Sequence, residues 1–375
     1  MRVCLLIPTF DAFKGGNHLP LLAAASDIQF TILTAQSRPA RPELPPNVQI
    51  EYIRTPLGPY YYGVSDWLFA RAVIRRLPAS DTFWKGFDVL HLNQTAGPAL
   101  LRLRSTGVPL CFFVHHPVSA DREIVLRESR GFERLRWRLR YALLLRWQKR
   151  FCRILPHVVT VSRTAAEKIA RDYGRDVASI RIVPNGVDAA RFVPDLSATA
   201  EFDVIAMGSF VHPRKGFRFL LEAYRSLAAK GFRIADVGRR SGEQAEALKA
   251  LPAVRMHGTV TDDELLSLLQ RSRVLVSTSL YEGFGLSLIE ALACGHPAFA
   301  FGGGAVTEVL SPVDPGLVVP PEDTAELVRR VSLFLALSTQ EQAARGERYR
   351  REVERLYPLS RSADVLRQLY QELGK

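Results

Sequence analysis

The sequence contains little cysteine and no long apolar run. Its four cysteines are Cys4, Cys111, Cys152 and Cys294. They are far apart and form no C-x-x-C pair, which argues against a disulfide framework or a zinc site and indicates structural thiols in a reducing compartment. No apolar stretch approaches the roughly 20 residues that a membrane-spanning helix needs. The N-terminal run MRVCLLIP stops at Pro8, too early for a secretory signal. These absences predict a cytoplasmic protein.

Length and charge indicate the number of domains and the kind of partner that the protein binds. With 375 residues the chain is too long for one ordinary core and fits two domains. Hydrophobic residues make up 47% and charged residues 23%, as in a globular protein. The net charge of +12 favours anionic partners, namely phosphate-bearing metabolites, anionic lipid surfaces or nucleic acid, without choosing among them.

Short apolar runs alternate with helical patterns along the chain. The strand-like runs are VCLLIPT, IQFTILTA, VQIEYI, FDVLHLNQ, PLCFFVHH and PHVVTVS, then FDVIAMGSF, FRIADVG, AVRMHG, RVLVSTS, PAFAFG and GLVVP. Helical patterns fall at 64–76, 98–105, 217–230, 241–251, 262–270, 286–293 and 324–337. This alternation predicts a doubly wound, parallel α/β sheet in each half.

A domain junction is predicted near the turn Pro184-Asn185-Gly186. The predicted parts are an N-terminal domain over 1–195, a C-terminal domain over 196–356 and an amphipathic helix over 357–375. We expect that helix to cross back onto the first domain.

Residues 130–153 depart from the alternation because they are densely basic. Trp137, Tyr141 and Trp147 lie among the arginines, and Glu133 is the opposing acid. On a helical projection the charges do not gather on one face. One interpretation is a surface helix whose arginines lie over apolar neighbours. The other is a patch for an anionic membrane, with arginine for the lipid phosphates and tryptophan for the interface.

Two acids flank an apolar run in YEGFGLSLIEALACGHP, residues 281–297. The glycines around Phe284 predict a loop, and a helix is expected from Leu286. The first N–H groups of that helix would face the loop and suit a phosphate or sugar hydroxyls. Glu282 can then reach a polar ligand, and Glu290 can accept two ribose hydroxyls. The alternative is a glycine loop and an exposed glutamate with no ligand.

A second candidate site follows the first strand of the second half, in MGSFVHPRKGF. Gly208, Arg214 and Lys215 lie at the strand end where open α/β sheets bind ligands. The P-loop pattern G-x-x-x-x-G-K-[ST] is absent. The two cations could neutralise a leaving diphosphate, and one donor of this kind is worth about 2.7–4 kcal/mol of barrier. A solvated Arg-Lys pair at a helix start is the alternative.

Two features of the first half are weaker candidates. Gly15 and Gly16, in FDAFKGGNH, could present backbone amides to a phosphate, although a tight turn is the simpler interpretation. His115 and His116 end the strand of CFFVHHPVSAD, where they could contact a substrate. A histidine metal site would need further Asp, Glu or Cys ligands, and we expect none from the local sequence.

The segment EGFGLSLIEALACGHP resembles the E-x(7)-E signature of the family 4 retaining glycosyltransferases, which have the GT-B fold. The resemblance extends through VPNGVDAARF, the RKG loop, MHGTVTDDELLSLLQRSRVLVSTS and GGGAVTEVL with GLVVPPED. It covers nearly the whole second domain. In the first domain it rests on the glycine pair, the HH strand end and the strand order. The implied fold is two Rossmann-like, doubly wound domains facing across a cleft.

The resemblance implies a nucleotide-sugar donor held mainly by the second domain. Glu282 would contact sugar hydroxyls, Glu290 the ribose and Lys215 the diphosphate. The other implied donor contacts are Gly15, Gly16, Ser209, Arg214, Gly258, Thr259, Val260, Gly283, Phe284, Gly285 and Leu286. The implied acceptor-side residues are His115, His116 and Asn17. The residues expected to act in catalysis are Glu282, Lys215 and His115.

One departure from the family concerns the arginine that often follows the strand glycine, where this chain has Ser209. Either Arg214 replaces it or donor binding is weakened or altered. No D-x-D triplet is present, so cations and helix dipoles would replace a metal, and neither a metal nor a cofactor is expected.

The expected reaction is transfer of a hexose, with retained configuration, to a hydroxyl of a sugar or lipid-linked acceptor. It fits cell-surface glycan or glycolipid synthesis in the cytoplasm, with peripheral attachment at the inner membrane face as an option. The alternatives are another GT-B enzyme, such as a phosphorylase or sugar-nucleotide epimerase, and a binding-only relative. Nucleic acid is not expected, because the basic stretch has no recognisable module.

Overall fold

The computed structural model describes residues 1–9, 18–35, 44–56, 63–94, 96–195, 197 and 199–375. The chain divides into two compact units. Unit 1 comprises Met1–Asn185 and Leu359–Lys375, and unit 2 comprises Gly186–Pro358.

Unit 1 is built on a parallel sheet. Its strands are β1 (Arg2–Thr9), β2 (Gln29–Ala35), β3 (Val48–Ile53), β4 (Val89–Asn93), β5 (Leu110–Val114), β6 (His157–Thr160) and β7 (Ile180–Ile182). Their order is β3-β2-β1-β4-β5-β6-β7. Every residue of β4 and β5 is buried, as expected where helices cover both faces of a parallel sheet. The order reverses between β1 and β4, the point where such sheets bind ligands.

Helices connect these strands. They are α1 (His18–Ala24), α2 (Val64–Arg76), α3 (Val118–Glu128), α4 (Gly131–Ile154) and α5 (Arg163–Tyr173). The segment predicted as a helix at 98–105 is a 3-10 helix over Pro98–Thr106. Its buried residues, Leu100 and Leu103, are three positions apart, which matches the three residues per turn of that helix type.

Unit 2 repeats the same architecture. Its strands are β8 (Phe202–Met207), β9 (Ile234–Val237), β10 (Val254–Gly258), β11 (Ser272–Ser277), β12 (Ala298–Phe301) and β13 (Val318–Val319). They lie in the parallel order β10-β9-β8-β11-β12-β13. The helices are α6 (Phe217–Ala229), α7 (Gly242–Lys249), α8 (Asp262–Gln270), α9 (Leu286–Ala293), α10 (Val306–Leu310), α11 (Thr324–Leu335) and α12 (Thr339–Leu356). The strand order reverses between β8 and β11.

The unit boundary lies after Asn185, whereas the sequence placed it after 195. Arg350 on α12 explains the difference. Its guanidinium donates to the carbonyl oxygens of Ala189 at 3.1 Å and Phe192 at 2.9 Å. These bonds tie the segment after Asn185 to unit 2.

The last helix, α13 (Leu359–Leu373), belongs to unit 1. Its Arg367 pairs with Asp27 at 2.8 Å, and the Tyr370 hydroxyl lies 2.6 Å from His91 Nδ1 in the core. Within the described ranges, no helix is both long and apolar enough to cross a membrane.

Candidate functional site

Two loops of unit 2 meet where its strand order reverses. β8 leads into the loop with Lys215, and its neighbour β11 leads into the loop with Glu282. The Leu280 N–H donates to the Arg214 carbonyl at 2.8 Å, and Thr278 Oγ1 donates to the Lys215 carbonyl at 3.1 Å. The sheet therefore joins two sequence motifs that were predicted separately.

The side chains of Arg214, Lys215 and Glu282 form an ion cluster, called here the Lys215–Glu282 cluster. Lys215 Nζ donates to Glu282 Oε1 at 2.6 Å. Arg214 Nη1 lies 3.3 Å from Glu282 Oε2 and donates to the Tyr281 carbonyl at 2.7 Å. The side chains are 16–21% exposed, so their charges interact more strongly than they would in bulk water.

The pKa of Glu282 reflects these neighbours. Burial raises it, but the charges of Lys215 and Arg214, with hydrogen bonds from Lys215 and Ser279, lower the pKa of Glu282 to about 2. The carboxylate is therefore ionised at neutral pH. Two cations around one anion leave the cluster with net positive charge, which suits an incoming anion.

The loop that carries Glu282 leads directly into α9. Gly285 caps this helix with φ 98, a conformation that glycine adopts with little strain. The Leu288 N–H donates to the Gly285 carbonyl at 3.0 Å, which leaves the N–H groups of Leu286 and Ser287 without a partner within the helix. An anion at this end would be stabilised by those N–H groups and by the helix dipole.

The glycine segment of GGGAVTEVL, to which the sequence analysis gave no role beyond the resemblance, supports Glu282. The Glu282 N–H donates to the Gly303 carbonyl at 3.2 Å, and the Ala305 N–H donates to the Glu282 carbonyl at 2.8 Å. A Cβ on Gly304 would lie 2.3 Å from the Glu282 carbonyl oxygen. The sequence feature that could have indicated this support is the Gly-Gly-Gly run directly after a predicted strand.

Gly304→Ala is expected to lower the free energy of unfolding by about 1–3 kcal/mol more than Gly258→Ala, because only the first forces overpacking. Their φ values are 65 and 67, so the strain of a left-handed alanine is common to both. A Cβ on Gly258 meets nothing within 4 Å. Denaturant unfolding of both variants measures the difference, and equal losses would contradict the close approach at Gly304.

Glu290 lies on α9, half-buried. Among the described residues, its carboxylate makes no hydrogen bond or ion pair. Burial raises the pKa of Glu290 to about 7; the Asp262 charge acts in the same direction, and Arg191 opposes it. A partly buried carboxylate with unused acceptor positions is a candidate ligand contact.

The loops after β8, β9 and β10 meet at the same sheet edge. Ser209 is exposed after β8. Arg240, which the sequence analysis did not single out, donates to the Gly208 carbonyl at 2.7 Å and pairs with the buried Asp236 at 2.5 Å. The Gly258 carbonyl accepts from the Gly238 N–H at 2.6 Å. Arg240 thus supports the loop next to Ser209. The sequence feature that could have indicated Arg240 is its position just after a predicted strand.

The remaining donor residues of unit 2 differ in exposure. Phe284 is buried, Gly283 is half-buried, Thr259 is exposed and Val260 is half-buried. Phe284 packs edge-to-face on Tyr357 with ring centroids 5.7 Å apart. Its side chain therefore anchors the glycine loop between the half-buried Gly283 and the buried Gly285.

In unit 1, the ends of β4 and β5 hold the two histidines. His115 Nε2 lies 2.8 Å from Asn93 Oδ1, and Gln94 Oε1 accepts the His115 N–H at 2.7 Å. His116 Nε2 lies 3.0 Å from Asp121 Oδ2, so the expectation of no local acidic partner was wrong. Asp121 sits in the first turn of α3 and thereby approaches the strand end.

The predicted residues Gly15, Gly16 and Asn17 lie outside the described residues. In the part of the chain that the structure describes, no group of three or more His, Cys, Asp or Glu side chains is arranged to hold a metal. That the reaction needs no metal stays a prediction.

Comparison with known proteins bears on both units. Residues 22–191 match the family described as Glycosyltransferase Family 4. Residues 201–336 match the family described as Glycosyl transferases group 1. Sucrose-phosphate synthase from Thermosynechococcus elongatus has a similar fold, with a TM-score of 0.77 and 22% identity over 99% of this chain and 98% of that one. The predicted fold, two Rossmann-like units of the GT-B type, is confirmed.

Both units are therefore similar to glycosyltransferases of the family 4 type. MMP alpha-(1->4)-mannosyltransferase from Mycolicibacterium hassiacum is 33% identical over 254 residues, which cover 64% of this chain and 60% of that protein. Phosphatidyl-myo-inositol mannosyltransferase from Mycobacterium leprae is 27% identical over 353 residues, covering 87% of this chain and 85% of that protein. The chain thus spans about 60% of the length of the first relative.

Proposed function

We propose that this chain is a retaining glycosyltransferase that moves a hexose from a nucleoside diphosphate sugar to a hydroxyl acceptor. The observation that carries the proposal is the Lys215–Glu282 cluster at the reversal of strand order in unit 2. Net positive charge beside the start of α9 supports binding of a diphosphate at this edge. The matches to the two glycosyltransferase families support the same class of reaction.

In this scheme Lys215 and the first N–H groups of α9 stabilise the charge on the diphosphate as it leaves. The bond between the anomeric carbon and the diphosphate oxygen breaks. The acceptor oxygen bonds to the same face, and its proton passes to the leaving diphosphate. No protein nucleophile takes part, so positioning and electrostatics supply the rate enhancement.

The other residues of the proposed site each contact a different part of the donor or the acceptor. Glu282 holds Lys215 in place before the donor binds and then accepts hydrogen bonds from sugar hydroxyls. Arg214, rather than a residue at position 209, supplies the second positive charge. The backbone at 258–260 contacts the base. His115, fixed by Asn93, contacts the acceptor.

Glu290 is assigned to the ribose, where an ionised carboxylate can accept two hydroxyl hydrogen bonds. With its pKa near 7, the ionised fraction falls as pH falls, so donor affinity is expected to weaken about 10-fold from pH 8 to pH 6. Calorimetry with an intact nucleoside diphosphate sugar measures this, because neither of its phosphates titrates in that range. Glu290→Gln should bind the donor more weakly at pH 8, and its donor affinity should not change between pH 8 and pH 6. If the variant keeps the pH dependence of the wild type, Glu290 does not bind the ribose.

The acceptor is proposed to be a sugar or a lipid-linked sugar in glycan or glycolipid synthesis. The relative that acts on phosphatidyl-myo-inositol supports the lipid option by its name. A cytoplasmic location is proposed with it.

A donor panel tests the function. The full chain is incubated with nucleoside diphosphate sugars, with and without membrane extract, in EDTA and in Mg²⁺, and nucleotide release is measured. Release that needs an acceptor, survives EDTA and yields the retained anomer supports the proposal. Release that depends on inorganic phosphate indicates a phosphorylase. Turnover without an acceptor indicates an epimerase, and donor binding without turnover indicates a binding-only relative.

A further inference from the structure

The outward face of α4 carries a row of exposed apolar side chains, called here the α4 stripe. Its members are Phe132, Leu135, Leu139 and Leu143, which are 80%, 50%, 65% and 52% exposed. Their spacings of three, four and four residues place them on one side of the helix. The exposed apolar side chains of α4 therefore share one side of the helix, whereas its charged side chains do not.

The opposite face of α4 is a normal buried face. Trp137, Tyr141 and Leu144 pack against Val118 and Val125 of α3 in one apolar cluster, with Trp147 partly buried beside it. The interpretation that placed tryptophan at a membrane interface is therefore wrong for Trp137. The solvent-facing aromatic residue is Phe132.

An apolar row on the outer face is unlike the other long helix of the protein. The outer face of α12, all of which the structure describes, has no large exposed apolar residue. It carries ion pairs instead, such as Arg351–Glu347 at 3.2 Å and Arg355–Glu352 at 2.6 Å. Single exposed leucines are ordinary, whereas a contiguous apolar patch indicates an interaction site.

Exposed arginines that have no acidic partner occur along α4. Arg136, Arg146 and Arg150 lie on the side of the helix that carries the α4 stripe, and Arg134 and Arg138 lie further round it. Within the described ranges, none of them makes an ion pair. Glu133 is the one acid in the sequence 131–154. An apolar row bordered by unneutralised arginines has the chemistry of a helix that lies in a lipid interface.

We propose that the α4 stripe docks the protein on an anionic lipid bilayer. Phe132, Leu135, Leu139 and Leu143 enter the boundary between headgroups and acyl chains, and the flanking arginines bind lipid phosphates. A second copy of this chain is disfavoured as the partner, because a symmetric contact would bring two sets of unpaired arginines together. Nucleic acid is disfavoured because the apolar row occupies the centre of the patch. The proposal goes beyond the transfer reaction, since α4 carries none of the donor or catalytic residues.

Vesicle co-sedimentation of the full chain tests the proposal. The vesicles are phosphatidylcholine alone or phosphatidylcholine mixed with the anionic lipid phosphatidylglycerol. Wild type is expected to bind only the anionic vesicles. The double variant Phe132→Ala/Leu139→Ala should bind on the order of 10-fold more weakly, and Arg136→Gln/Arg146→Gln/Arg150→Gln on the order of 10²-fold more weakly.

Matched controls keep the result interpretable. Leu333→Ala removes an apolar side chain that is 56% exposed on α11 and should leave vesicle binding unchanged, as should Arg351→Gln/Arg355→Gln on α12. Thermal unfolding and calorimetric nucleotide affinity should be unchanged in the α4 variants. Loss of vesicle binding with intact nucleotide binding separates this proposal from the proposed transfer reaction.

Four outcomes would overturn the proposal. They are no binding by wild type, equal binding to neutral vesicles, variants that bind like wild type, and an oligomer of wild type that Phe132→Ala/Leu139→Ala converts to a monomer. Binding to duplex DNA that the arginine variant loses, without vesicle binding, would assign the patch to nucleic acid instead.

Discussion

Lys215→Ala is expected to lower kcat on the order of 10²–10³-fold at saturating donor. Lys215 is the nearer of the two cations that donate to Glu282, at 2.6 Å against 3.3 Å for Arg214. In the proposed reaction its ammonium group meets a charge that grows as the diphosphate leaves. Steady-state nucleotide release, with donor and acceptor both varied, measures the loss.

The control for Lys215 is Lys230→Ala, which removes an exposed lysine at the end of α6 and should leave kcat unchanged. Lys215→Arg keeps the charge and should recover part of the rate. If Lys215→Ala loses less than a few-fold in kcat at saturating donor, the lysine does not stabilise the leaving group.

Glu282→Gln is expected to lower kcat on the order of 10²-fold, because a sugar hydroxyl loses a charged hydrogen-bond acceptor. The affinity for the nucleoside diphosphate alone should stay the same or increase. Removing the one anion of the Lys215–Glu282 cluster leaves two cations for the diphosphate. Turnover is therefore expected to fall while the calorimetric affinity for the nucleoside diphosphate does not.

A matched control is available for Glu282. Glu326 also has a pKa lowered to about 2, by hydrogen bonds from Arg329 and Arg330, but it lies on α11. Glu326→Gln should leave both measurements unchanged. A diphosphate affinity that falls in Glu282→Gln in parallel with kcat would contradict the separate roles given to the lysine and the glutamate.

Much of the fold follows from patterns that are local in the sequence. The predicted helices at 262–270 and 286–293 coincide with α8 and α9, and the predicted end of α6 differs by one residue. These segments combine amphipathic spacing with clear capping residues such as Thr261 and Gly285. The parallel-sheet rule also placed Lys215 at a strand end where open α/β sheets bind ligands.

Contacts between distant loops could not be predicted in the same way. That Lys215 and Glu282 pair with each other, or that the Glu282 loop rests on Gly303 and Gly304, depends on backbone approach across neighbouring strands. The support that Gln94 gives to His115 has the same origin. No periodicity or composition in a single sequence encodes such distances.

Helix α4 shows a second limit of sequence patterns. Apolar residues occur on both its inner and outer faces, so the sequence does not say which face is buried. The tertiary contacts with α3 decide it: Trp137 and Tyr141 face inward, and Leu139 is left outside. The α4 stripe can be recognised only once the structure shows which face of the helix is buried.

The central claim is that the Lys215–Glu282 cluster and the start of α9 bind the diphosphate of a sugar donor. A crystal structure with an intact nucleoside diphosphate sugar tests it most directly. The account predicts one phosphate oxygen about 2.7–3.2 Å from Lys215 Nζ and another at the same distance from the first N–H groups of α9. A diphosphate bound elsewhere, with Lys215 still paired only to Glu282, would contradict it.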